Sequence, residues 1–521
     1  MMDVNSMTLE QKIGMVICAR RFREDDIEFV KELVKKRALG SAQLPAYNPA
    51  IIEEILAVAD YPLIVVNDTE SGFPTTQLPK VPIISLAATG KEEYRKAYAK
   101  GIVRDGKKLG FNATWGPVID IMHGDGPCSS HRKFSDNAEE IGKTAETIAK
   151  VFKDNGYLSC GKHYPGGSKA LPLDTHMTEG ICLDTKEDLL NCDLLPYKYL
   201  LEKGLLPTVM VGHNLYPNID PDYPASLSKK VNDILRDDLG FDGVLFTDSF
   251  AMMGILQKYG EENIYGMAIA AGIDNILPNY RTPVKDVYDM LMKNYKDGMF
   301  TEERLNEAVR RVLKAQEFVG SKPQSPTPFT EEDEKTLQNV ARDCITAITD
   351  EGVLAKLADT NDEDKLFVVL KESSMLNEIG EEVTFGSWYS SQRVADKIKE
   401  TFPKSEIVFL PEFSQAFENE KVLLAATRHK EVIFVTFCNT AAYLGTDGLT
   451  RRTESVLNAL VHSQKVSAIV HFGNPYALKN IFHTKRIIFG YHIPESQQHA
   501  FDVLKGTIEA KGKLPFKVEL Q

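Results

Sequence analysis

From residue 10 to about 315, short apolar runs alternate with amphipathic stretches, and this alternation constrains the fold more than any other feature. A strand and a helix repeated in turn bury their apolar faces best as a parallel sheet covered by helices. The candidate strands are IGMVICA (13–19), YPLIVVND (61–68), FNATWGPVIDI (111–121), YLSCGKH (157–163), LPTVMVGH (206–213), GVLFTD (243–248) and DNILP (274–278). These seven fall one short of eight, so the expected fold of residues 1–318 is a (β/α)8 TIM barrel or a slightly irregular relative. Between strands, KEEYRKAYAKGIVRDGKKLG (91–110) places apolar and small residues at helical spacing and stops at Gly110.

The segment 319–336, VGSKPQSPTPFTEEDEKT, is polar, carries three prolines and lacks periodicity, so it reads as a linker. A second α/β series follows in 337–521. Its strands are KLFVVLK (365–371), EIVFL (406–410), EVIFVTFC (431–438), VSAIVHFG (466–473) and RIIFGYH (486–492). Near-continuous apolar strands of this kind imply a buried, mainly parallel sheet between helices, an α/β sandwich domain.

Composition narrows the function. A formal net charge of −13 opposes a broad phosphate-binding surface, so nucleic acid is a poor partner. The seven cysteines, at 18, 128, 160, 182, 192, 344 and 438, form no CxxC pair, which argues against a disulfide framework and against a zinc site. No apolar run approaches a membrane span, and the N-terminal MMDVNSMTLEQK has acidic residues early, so the expected location is cytoplasmic, without a membrane partner.

In a barrel of this kind chemistry gathers at the carboxyl ends of the strands. Four candidate strands end in Asp68, His163, His213 and Asp248. Any one of these could be a cap or a satisfied buried polar group; four together point to a site. Asp248 follows an apolar strand and precedes the run SFAMMGILQKYG, where Ser249 can cap a helix while Asp248 turns into the mouth. A carboxylate there could act as a nucleophile or stabilise positive charge, as in glycoside hydrolysis. A retaining mechanism then needs a proton donor, and the loop KHYPGGSKALPLDTH (162–176) offers one. Its Asp174 and His176 stand at i, i+2, a spacing that puts a carboxylate beside an imidazole on an extended segment. Gly166, Gly167 and Pro172 suggest that the loop is mobile and closes on substrate.

These residues carry a family resemblance. The chain resembles glycoside hydrolase family 3, and within it the NagZ-like β-N-acetylglucosaminidase branch, through DTESG (68–72), NATWGPVIDI (112–121), RKF (132–134), KHYPG (162–166), DTH (174–176), MVGHNLYPNIDPDYPASLS (210–228) and DSFAM (248–252). ARDCITAITDEGVL (341–354) and GTIEAKGKLPFKV (506–518) extend the likeness into the second domain.

The resemblance implies a retaining hydrolase that removes terminal β-linked N-acetylglucosamine from a small oligosaccharide or glycoconjugate, without a cofactor. Asp248 would be the nucleophile, His176 the acid/base and Asp174 its partner. Asp68, Arg132, Lys162 and His163 would hold the terminal sugar, with His213 close by. One departure stands out: where the family usually reads Lys-His-Phe-Pro-Gly-His-Gly-Asp-Thr, this chain lacks the second His and the following Asp. That loop borders the leaving-group side, so aglycone preference is open.

Other activities of the same family, β-glucosidase or a phosphorylase, compete with this reading. A metal-dependent hydrolase using His123, His131, His163 and His213 is a more distant class, since no HxH or HExxH spacing is present. In the second domain, Gly473-Asn474-Pro475-Tyr476 is a candidate cleft loop.

Overall fold

The fold is described from a computed structural model, over residues 3–20, 26–73, 80–124, 132–171, 173–323, 325–376, 382–384, 388–438 and 448–518. Pro172, Cys128 and His131 lie outside these residues. The chain divides into two compact units: Met1–Lys80, Glu92–Gly126 and Lys133–Leu337 form one, and Val81–Lys91, Pro127–Arg132 and Gln338–Gln521 the other.

The first unit is a closed ring of eight parallel segments. β1 (Cys18–Arg20), β2 (Ser41–Gln43), β3 (Ile64–Asn67) and β4 (Ala113–Thr114) pair in sequence order. β5 (Cys160–Tyr164) continues the ring through parallel bridges from Ala113 to Leu158 and from Val118 to Lys162. β6 (Thr208–Val211) follows, then an antiparallel hairpin of β7 (Leu215–Tyr216) and β8 (Asp220–Pro224) outside the ring, then β9 (Val244–Thr247). Asn275 and Ile276 supply the eighth position, bridging Phe246 on one side and Ile17 on the other.

Local chemistry explains where these segments depart from the apolar runs. The run 13–19 is helix up to Met15, because Thr8 and Gln11 form a capping box that starts a helix at Leu9; only Cys18–Arg20 is strand. β2 has the sequence Ser-Ala-Gln and shows no apolar run, so the ring has a strand that periodicity does not reveal. The run 111–121 is interrupted at Gly116-Pro117, since proline has no N–H for the ladder, and only two of its residues are regular strand. The helix Glu92–Lys108 ends as expected near Gly110, whose φ of +90° suits glycine.

Asp274 closes the ring electrostatically. It is fully buried, accepts from Leu245 N–H at 3.0 Å, and pairs with Arg236 and Arg304 at 2.5 Å and Arg311 at 3.3 Å. Segment 319–336 is not a bare tether. The helix Glu302–Gly320 takes its first two residues and Glu331–Asp343 its last six. Between them Phe329 lies under the Arg104 guanidinium, and Thr327 exchanges hydrogen bonds with Asn155, all within the first unit.

In the second unit, β10 (Thr346–Thr349), β11 (Lys365–Lys371), β14 (Glu406–Pro411), β15 (Glu431–Phe437), β16 (Val466–Phe472) and β17 (Arg486–Phe489) form one sheet in the order β10-β17-β16-β15-β11-β14; a small ribbon, β12 (Ser374–Leu376) with β13 (Glu382–Thr384), stands apart. The five expected strands run parallel, and the unforeseen β10 is antiparallel at one edge. The Asn474 turn is interior to this unit: Asn474 is fully buried, its side chain accepts from Tyr476 N–H, and the Tyr476 ring stacks on Phe516.

Candidate active site

The carboxyl ends of β3, β5, β6 and β9 bring together Asp68, Lys162, His163, His213 and Asp248, as the strand-end argument expects. Asp248 is half-buried and directly follows β9; its N–H donates to Val211 O at 2.8 Å, and its Oδ1 accepts from Ser249 N–H at 2.6 Å. Burial works against its anion. The facing His163 and His213, the Ser249 amide and the Lys162 ammonium outweigh that cost and hold the carboxyl well below the usual carboxylate range. Burial also disfavours the protonated form of His213.

Lys162 is 1% exposed, and a buried ammonium needs partners. Asp68 Oδ1 at 2.9 Å and Glu70 Oε1 at 2.6 Å are among them. His163 is gripped by Asp120, which accepts from its backbone N–H at 2.7 Å and meets its Nδ1 at 2.8 Å. The Lys162–His163 peptide is cis. His213 meets Ser226 Oγ through Nδ1 at 2.8 Å and the Ser249 carbonyl through Nε2 at 3.1 Å. A carbonyl only accepts, so Nε2 carries the proton and the Ser226 hydroxyl donates to Nδ1. With the ring also stacked on Phe250, His213 is a fixed wall rather than a proton shuttle.

The Asp174–His176 pair forms, but on a turn rather than on the extended segment expected: the N–H groups of Met177 and Thr178 both donate to the Asp174 carbonyl. Asp174 is buried, and its Oδ1 accepts from His176 N–H at 3.0 Å and meets His176 Nδ1 at 2.9 Å. The loop is fastened beside Asp248, since Met253 N–H donates to the His176 carbonyl at 3.0 Å. At Gly254 a Cβ would come within 2.1 Å of Thr178 O, so only glycine lets the two backbones approach this closely. Lys258 reinforces the contact by pairing with Glu179 at 3.0 Å. Proton exchange with a bound substrate would fall to Nε2 of the half-exposed His176 ring.

Several contributors were not singled out from the sequence. Glu70, Asp120 and Ser226 lie inside DTESG (68–72), NATWGPVIDI (112–121) and MVGHNLYPNIDPDYPASLS (210–228), but each acts through another residue, so membership of a motif gives none of them a role. Arg20, at the end of β1, contacts Ser249 Oγ and covers the Tyr280 ring at 5.2 Å. Ser249 does not cap the following helix; its Oγ accepts from Ala251 N–H, and the helix Met253–Tyr259 has Met252 at its N-cap. Arg132 is half-buried and groups with the second unit rather than with the barrel residues.

The histidines considered for a metal do not gather. His163 is engaged with Asp120, His213 with Ser226 and His123 with Asp193, while His131 lies outside the described residues. Among the described residues, His123, Cys192 and Asp193 do place three donor atoms within 4.8 Å of one another, and a hydrogen bond of 2.8 Å already joins the first and last. No helix among the described residues is long and apolar enough to cross a membrane.

The model of the glycosyl hydrolase family 3 N-terminal domain matches residues 8–315, the whole of the ring. The chain belongs to glycosyl hydrolase family 3. This family 3 chain is 26% identical over 330 residues to a "Beta-N-acetylglucosaminidase/beta-glucosidase" of Cellulomonas fimi, covering 60% of this chain and 58% of that protein. It is 30% identical over 246 residues to a "Beta-hexosaminidase" of Thiobacillus denitrificans, covering 45% and 67%. Among solved structures, a family 3 β-N-acetylglucosaminidase from Paenibacillus sp. superposes with a TM-score of 0.79 at 23% identity, covering 99% of this chain and 100% of that one. A beta-glucoside phosphorylase superposes with a TM-score of 0.80 at 20% identity, covering 99% and 94%. These likenesses establish a TIM-barrel-like first unit followed by an α/β sandwich.

Proposed function

We propose that the protein is a retaining β-N-acetylhexosaminidase acting on terminal N-acetylglucosamine of a small oligosaccharide or glycoconjugate. The observation that carries this reading is the Asp174–His176 pair at 2.9 Å, fastened through the His176 carbonyl to the segment that follows Asp248. In the first step an Asp248 oxygen bonds to the anomeric carbon as the glycosidic C–O bond breaks, and His176 gives its proton to the leaving oxygen. In the second, neutral His176 takes a proton from water, the water oxygen bonds to the anomeric carbon, and Asp248 leaves as carboxylate. Asp174 stabilises the imidazolium before the first step and after the second. Lys162 and His163, with Asp68, are placed to hold sugar hydroxyls, and Arg132 is proposed for the same task on motif grounds.

A second reading shares the first step. Once His176 has given up its proton it is neutral, and a neutral imidazole repels an incoming phosphate less than a carboxylate would, which suits a phosphorylase. Turnover of aryl β-N-acetylglucosaminide and aryl β-glucoside, with and without phosphate, by the wild type and Asp248→Ala separates the readings. The expected result is strong preference for the acetamido sugar, free sugar as product, and activity near background in the variant. Equal rates on the two sugars would move the protein to the glucosidases, sugar 1-phosphate as product to the phosphorylases, and an active Asp248→Ala would remove the nucleophile assignment.

A further inference from the structure

Two buried carboxylates that play no part in the proposed chemistry hold the base of the loop that ends in His176. Asp193 Oδ1 accepts from Gly167 N–H at 3.0 Å and meets His123 Nε2 at 2.8 Å. Asp184, fully buried, accepts from Ser168 Oγ at 2.6 Å, Lys169 N–H at 2.7 Å and Cys182 Sγ at 2.7 Å. Removing either carboxylate would take away the acceptor that these donors share.

Beyond these anchors the chain forms a ribbon. Ala170 bridges Cys182 in antiparallel fashion, Leu171 N–H donates to Ile181 O at 2.8 Å, and Leu183 N–H donates to Lys169 O at 3.1 Å. Residues 182 and 184 therefore share one face of the ribbon, and both are buried there. The register matters, because a slip of one residue would turn Cys182 and Asp184 to the other face and carry Asp174 and His176 along. The glycines at the base fit this close packing rather than a swinging hinge. A Cβ on Gly167 would sit 2.4 Å from Cys182 Sγ, and one on Gly166 would sit 3.0 Å from Asp193 Oδ1. The Tyr216 hydroxyl also donates to the Gly166 carbonyl.

We infer that Asp193, steadied by His123, is a positioning residue for the acid/base: it fixes the Gly166–Gly167 turn, and so the register of the ribbon that presents His176 to the leaving group. His123 comes from the segment after β4 and Asp193 from just before the helix Leu195–Glu202, so the loop is set by two elements remote from it in sequence. The inference rests on the assignment of His176 given above.

The test measures kcat/KM on N-acetylglucosaminides whose leaving groups span a wide pKa range, from dinitrophenyl to alkyl. Asp193→Ala is expected to steepen the dependence on leaving-group pKa as His176→Ala does. The loss should be about a hundredfold on alkyl leaving groups, the scale of a displaced catalytic group, and slight on dinitrophenyl. Asp193→Asn, whose amide oxygen can still accept from Gly167 and His123, should recover most of that loss, and Asp193→Ala should add no further steepening in the His176→Ala background. An equal loss on every leaving group would overturn the inference, because a merely structural role lowers all rates together. Should Asp193→Ala fail to fold, His123→Ala is read the same way with thermal melting alongside. If His176→Ala itself leaves the dependence unchanged, the acid/base assignment falls; if His176→Ala steepens it and Asp193→Ala does not, only the role of Asp193 falls.

Discussion

At the scale of single residues, the site separates groups that can move protons from groups that cannot. His213 is boxed in by Ser226, the Ser249 carbonyl and Phe250, and burial disfavours its protonation, whereas His176 pairs with the buried Asp174 and keeps a half-exposed ring. Under the proposed mechanism, His176→Ala should lower kcat/KM on poor leaving groups by about 10²- to 10⁴-fold while sparing activated nitrophenyl substrates, as loss of general acid catalysis does. Asp174→Asn should act in the same sense but more mildly, since it keeps the hydrogen bond to Nδ1 and removes only the charge. Steady-state rates across a leaving-group series check both. This contrast was partly legible in the sequence: Asp174 and His176 are two residues apart in the chain, so their spacing announces them. Asp120, Glu70 and Ser226 fall inside the family-like motifs, but their contacts to His163, Lys162 and His213 join segments that only the closed barrel brings together, and one dimension does not show them.

At the scale of elements, the ring strand that escaped notice is β2, three residues without an apolar alternation, whereas DNILP (274–278), expected as a strand, supplies Asn275 and Ile276, held between β9 and Ile17 by single bridges. What holds that last position is legible only in three dimensions, where three arginines converge on the buried Asp274. Asp274→Ala would leave their guanidinium groups without a counter-charge and free the Leu245 amide. The variant should lose about 3–5 kcal/mol of stability, the usual consequence of removing one partner from a buried ion pair, readable as a lower denaturant midpoint. A change below about 1 kcal/mol would show that water replaces the carboxylate there.

At the scale of the whole molecule, the second unit carries its own sensitivity to acid. His471 on β16 is fully buried between Thr436 Oγ1 at 2.8 Å and the Asn474 carbonyl at 2.9 Å, and burial lowers its pKa to about 4. The unfolded chain takes up a proton near the ordinary histidine value of about 6.5, so between about 6.5 and 4 the unfolded state binds more protons than the folded one. The stabilisation from keeping this imidazole neutral is therefore complete above about pH 6.5 and is lost progressively as pH falls towards 4, on the order of 3 kcal/mol in all. Urea melts between pH 7 and 4 should show this slope, and His471→Gln should flatten it.

The ribbon before His176 is moored mostly through main-chain atoms: the amides of Gly167, Lys169, Leu171 and Leu183, and the carbonyls of Lys169, His176 and Ile181. Leu171, Leu173, Met177 and Leu183 nevertheless present exposed side chains. Main-chain moorings are indifferent to what a side chain is, so these four positions can drift without loosening the Asp174–His176 pair between them. Under the proposed mechanism, evolution, or a library built at those codons, can thus vary the exposed surface on either side of the proton donor while its main-chain moorings stay in place.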